Sequence, residues 1–87
     1  MHEMSLINGL LTKIEAIARE HNVSRVTGVK VRLGALSHIS ADHFREHFEE
    51  GTRGHVAEGA RLDIEVAEDI NDPNAQDILL ISVDVPE

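Results

Sequence analysis

Two spacings of apolar residues alternate along the chain. From Met4 to about Glu20, residues Met4, Ile7, Leu10, Leu11, Ile14, Ile17 and Ala18 recur at three- and four-residue steps. That is the period of an amphipathic helix. Lys13, Glu15, Arg19 and Glu20 fall off the stripe. Asn8-Gly9 lowers helix propensity locally, and His21-Asn22 reads as the helix end. Val29, Val31 and Leu33 then alternate with Lys30 and Arg32, which predicts a half-buried strand. Val26 has the opposite parity, so a bulge is expected at Gly28. The stretch SHISADHFREHFEE predicts a second helix. Ser40 is a good N-cap, Asp42 suits the positive helix end, and Ile39 and Phe44 are spaced for a hydrophobic staple. Phe44 and Phe48 share one face.

The glycine-rich GTRGHVAEGA ends that helix. RLDIEV predicts a second strand, with Leu62, Ile64 and Val66 inward and Asp63 and Glu65 outward. Residues 67–77, AEDINDPNAQD, form a polar linker with a turn signal at Asp72-Pro73-Asn74. ILLISVDV predicts a third strand. Leu79, Ile81, Val83 and Val85 make one face, and Ile78 and Leu80 add apolar surface on the other. That doubly apolar pattern implies a central strand or a covered second face. The order is helix, strand, helix, strand, strand. It predicts an α+β fold, with two helices on one face of a small three-stranded mixed β-sheet. The 87 residues are expected to form one domain.

Charge and composition narrow the function. Eight basic residues face sixteen acidic ones, a net charge of −8. Nucleic acid and anionic membrane surfaces are poor partners for such a chain. With no cysteine there can be no disulfide, thiolate catalysis or Cys-ligated zinc. No signal peptide or membrane-length apolar run is visible, so a cytoplasmic location is expected. The serines lack a nucleophile elbow, and no catalytic set can be assembled, which argues against an enzyme.

Six histidines remain as candidates: His2, His21, His38, His43, His47 and His55. The amino terminus, MHE, is the most specific arrangement. The Met1 α-amine and the His2 amide close a five-membered chelate ring, and the amide and His2 Nδ1 close a six-membered one. The Glu3 amide or carboxylate, or water, completes a four-coordinate, nitrogen-rich set suited to Ni(II) or Cu(II). Amides at a helix start have no intrahelical partner, so a metal can take them without breaking the helix. The plainer reading makes His2 an ordinary residue at a chain end. His43 and His47 are four residues apart on one helix, a spacing that can hold a divalent metal. The stretch reads HFREH, not the zinc-protease HExxH. His38 precedes the Ser40 cap in a loop that could approach a metal. His21 and His55 look like loop or helix-end residues.

MHEMSL, VRLGALSHIS and VAEGARLDIEV, in that order, resemble the hydrogenase maturation nickel-insertion proteins of the HypA/HybF family. ILLISVDV resembles that family's last strand. The resemblance implies a nickel metallochaperone that carries Ni(II) toward [NiFe]-hydrogenase, and in some members urease. It implies nickel ligation by Met1, His2 and Glu3; His38 stays a further candidate from its loop position alone. It also implies a maturation GTPase and a hydrogenase large-subunit precursor as partners, and a possible homo-oligomer. One departure is large: the family's zinc domain, with two CxxC pairs, is replaced here by the linker 67–77, so no zinc is expected. The alternative reading is a metal-independent adaptor or regulatory paralogue in hydrogenase maturation.

Overall fold

In the helix that opens the fold, Ile7, Leu10, Leu11, Ile14 and Ala18 form a buried stripe. A computed structural model describes residues 3–86, and the side chains of residues 5–86. The first helix, α1, runs Glu3–Glu20. Asn22 closes it in the left-handed conformation, with φ 54°. The Asn22 N–H donates to the Arg19 carbonyl at 3.1 Å and the Val23 N–H to the Ala18 carbonyl at 3.0 Å. These two bonds are a Schellman closure, and Asn tolerates the left-handed position better than most side chains. Val23 then packs against the core.

Strand β1, Gly28–Leu33, follows. Helix α2, Ala41–Gly51, is capped by Ser40, whose Oγ accepts from the His43 N–H at 3.1 Å. Ile39 and Phe44, on either side of the cap, are both in the core. Strands β2, Arg61–Val66, and β3, Ile78–Asp84, complete the fold. The sheet order is β2-β1-β3, with β2 parallel and β3 antiparallel to β1. Val29, Val31 and Leu33 of β1 meet both helices in one cluster with Phe44 and Phe48. The predicted α+β architecture and element order are those observed.

Three expectations about the strands need correction. The bulge is not at Gly28. It lies in β3, where Lys30 pairs with Ser82 but Val31 pairs with Leu80, leaving Ile81 as the extra residue. The parity of β3 therefore switches: Ile78, Leu80 and Val83 pack on the core, and Ile81 is exposed. Strand β3 is an edge, and β1 holds the centre. Val66, expected inward, is 58% exposed because it ends an edge strand beyond the reach of the helices. Gly28 instead makes room for an ion pair. Arg61 crosses above it to reach Asp84 at 2.5 Å, and a Cβ there would collide with both side chains.

Candidate metal centre

Strand direction sets which groups meet at each end of the sheet. Leu33 at the end of β1 pairs with Ile78 at the start of β3 and with Val66 at the end of β2. The first turns of α1 lie at this same end, since Ser5, Leu6 and Gly9 line a pocket with Asp77, Ile78 and Leu79. Leu6 also lines an open pocket of about 400 Å³ with Leu36, Ser37, His38, Gln76 and Asp77. One end of the molecule therefore gathers the start of α1, the loop before α2 and the last residues of segment 67–77.

The backbone holding His38 is fixed on both sides. Before it, Ser37 N–H donates to the Gly34 carbonyl at 3.0 Å and Leu36 N–H to the Ala75 carbonyl at 2.7 Å. Gly34 N–H donates to the Asp77 carbonyl at 2.9 Å. A side chain at Gly34 would run into the Ala75 carbonyl, so only glycine permits this approach. After it, Ile39 is buried and Ser40 caps α2. His38 itself has φ 60°, a conformation histidine adopts more readily than most residues, and its side chain is exposed. The result is an exposed imidazole on an anchored loop, beside the first turns of α1.

Segment 67–77 is more ordered than a polar linker implies. Asp69 and Asp72 carboxylates accept from the Asn71 and Asn74 N–H groups at 2.9 and 2.8 Å. The Ala75 N–H donates to the Asp72 carbonyl at 2.9 Å, which closes the expected turn at Asp72-Pro73-Asn74. Ala75 is buried. Asp77 was not singled out by the sequence, because only its backbone pairing with Gly34 brings it beside His38.

Of the predicted nickel ligands, Met1 and His2 lie outside the described residues, and so does the Glu3 side chain; the Glu3 backbone opens α1. His43 and His47 face each other along α2, with ring centroids 5.4 Å apart. His21 is exposed just past the end of α1. His55 is structural: its Nδ1 accepts from the Ala57 N–H at 3.0 Å, and its Nε2 lies 3.1 Å from the Leu11 carbonyl. Among the described residues no group of three or more His, Asp or Glu side chains is placed to hold a metal.

A family model described as hydrogenase/urease nickel incorporation, metallochaperone, hypA, matches residues 1–71. This chain belongs to the HypA family. The hydrogenase maturation factor HypA of Methylocella silvestris is 46% identical over 66 residues, covering 76% of this chain and 58% of the relative. HypA of Desulfitobacterium hafniense is 41% identical over the same shares. The chain thus spans 58% of the length of these curated relatives. The solution structure of the nickel metallochaperone HypA from Helicobacter pylori superposes with a TM-score of 0.79, at 19% identity over 98% of this chain and 97% of that one. A second HypA solution structure gives 0.75 at 21% identity. These likenesses establish that the HypA fold is present. No helix of the described residues is long and apolar enough to cross a membrane.

Proposed function

We propose that this HypA-family chain is a non-enzymatic nickel carrier that holds Ni(II) at its amino terminus for insertion into [NiFe]-hydrogenase. The carrying observation is the match of residues 1–71, MHE included, to a nickel-incorporation family. Within this proposal His2 supplies an imidazole and an amide nitrogen, Met1 the α-amine where it begins the chain, and Glu3 an amide and local negative charge. Square-planar nitrogen ligation of this kind suits Ni(II). The start of α1 at Glu3 supports the scheme, since the first helical amides have no carbonyl partner to lose. His38 is proposed as an additional donor, supported by the pocket it shares with Leu6. Asp77 in that pocket adds negative charge near a bound cation.

Segment 67–77 is proposed to stand where relatives carry a zinc module, so that Ni(II) is the only metal cargo. The partners proposed are a maturation GTPase and a hydrogenase large-subunit precursor, reached in the cytoplasm. With a formal charge of −8, docking would favour basic surfaces on those partners.

Calorimetric titration with Ni(II) tests the site. His2→Ala should weaken binding roughly 100-fold, since loss of a ligand costs no less than loss of its outer partners. Binding must also weaken on acidification. Both an α-amine and an imidazole must be deprotonated to ligate, and their reference pKa values in model peptides are about 7.7–8.0 and about 6.5. Equal affinity in His2→Ala would remove the proposed site. Intact hydrogenase maturation by that variant would favour the metal-independent adaptor.

A further inference from the structure

We propose that His55 is a pH-operated latch on the loop after α2. Neutral, the ring holds that loop folded through Ala57; with a second proton it gives up Ala57, turns to Glu15 on α1 and lets the loop loosen. The ring sits between partners that require opposite charge states. Its Nδ1 accepts from the Ala57 N–H at 3.0 Å. A backbone N–H can only donate, so this bond exists only while Nδ1 carries no proton. Nε2 lies 3.1 Å from the Leu11 carbonyl and 3.5 Å from the Glu15 carboxylate. An imidazolium has an N–H at both nitrogens. The Nδ1 proton would then point at the Ala57 N–H, and an attractive contact becomes a repulsive one. The same proton sets a positive charge beside Glu15, which attracts it. The Ala57 bond therefore belongs to the neutral ring and the Glu15 ion pair to the charged one.

The surroundings make the choice of partner consequential. The His55 side chain is 9% exposed, so water is a poor substitute for either bond. Charged groups on the elements around it are Glu15 on α1, Glu49 and Glu50 at the end of α2, Arg53 and Glu58 on the loop itself, and Arg25 ahead of β1. Among the described residues, Glu15 alone is within ion-pair distance of the ring. Ala57 is buried in the core. Its neighbour Val56 accepts from the Val26 N–H at 2.8 Å, so the loop also holds the segment that leads into β1. Ala57, Gly59 and Ala60 wall a pocket of about 290 Å³ with Phe48 and Leu62. Release at Ala57 loosens that wall, while the Leu11 and Glu15 contacts keep the ring on α1. The latch thus acts on the loop and leaves the sheet intact.

The test follows the full, metal-free chain by NMR from pH about 8 to about 5, the range in which histidine changes charge. The His55 ring signals report its protonation. Hydrogen exchange, expressed as protection so that the intrinsic pH dependence is removed, reports the Ala57 amide. The ring is expected to titrate within that range, and Ala57 protection to fall with it about fivefold or more, the worth of one hydrogen bond. Protection at Val31, in the centre of the sheet, should stay level. His55→Gln offers a donor and an acceptor but no titration, so Ala57 protection should lose its pH dependence. Glu15→Gln removes the partner of the charged ring, so the fall should move to lower pH. Level Ala57 protection while the ring titrates would overturn the proposal, as would a ring that does not titrate. A parallel fall at Val31 would replace the latch by general acid unfolding. The same fall in His55→Gln, or an unmoved fall in Glu15→Gln, would also overturn the exchange of partners. No metal is present, so the outcome is independent of the amino-terminal nickel site.

Discussion

The ring of His55 is tied to the fold at both nitrogens. Because Nδ1 accepts from the Ala57 N–H, the proton sits on Nε2, which donates to the Leu11 carbonyl and lies 3.5 Å from the Glu15 carboxylate. The side chain is 9% exposed. It fastens the loop after α2 to the middle of α1. His55→Ala removes both bonds and leaves the N–H of buried Ala57 short of a partner. The expected loss is about 1–3 kcal/mol in urea unfolding. Nothing in the local sequence separates His55 from His38. The difference arises because the 51–60 loop folds back on α1, a contact 44 residues apart. The sheet's outer surface is likewise tuned residue by residue. Arg32, by hydrogen bonding and then by its charge, holds the Glu65 carboxyl below its ordinary value. The sign follows: a depressed carboxylate stabilises above its unfolded pKa, near about 4.3, and loses that contribution as pH falls through the folded value. Arg32→Gln should raise the Glu65 titration midpoint, as read by NMR.

Among the elements, the ends of helices were legible and the phase of β3 was not. Asn22 and Ser40 act locally, through their own backbone or side chain, so their signals lie in a few adjacent residues. Strand β3 offers apolar residues at Ile78, Leu79, Leu80 and Ile81, and either parity can face a core. Pairing with β1 resolves the ambiguity by inserting Ile81 as a bulge, which no local residue announces. This predicts that Leu80→Ala costs at least about 1 kcal/mol more than Ile81→Ala, since only Leu80 packs on the core. Equal costs would contradict the register. The loop holding His38 depends on close backbone contact at Gly34. Gly34→Ala should destabilise by roughly 2–3 kcal/mol, because the Ala75 carbonyl cannot yield without breaking its bond to Leu36. Reduced hydrogen-exchange protection at Leu36 would accompany that loss.

For the molecule as a whole, the fold sets the first turns of α1 beside the loop that holds His38. Both helices cover one face of the sheet, and β1 runs toward the end where α1 starts. That end carries the anchored His38 loop and Asp77, while segment 67–77 closes the gap between β2 and β3 by its own turns. The helical spacings of α1 and α2 were readable because they are local. That His38 and Asp77 share a pocket was not, because they lie far apart in the chain and only strand pairing unites them. Chelation of Ni(II) through the chain terminus is decided by calorimetric titration of two chains. One begins at Met1, and the other carries Gly-Ser before Met1. His2 is intact in both, and only the position of the α-amine changes. The extension is expected to weaken binding at least about tenfold. Unchanged affinity and proton release would rule out a chelate built on the terminus.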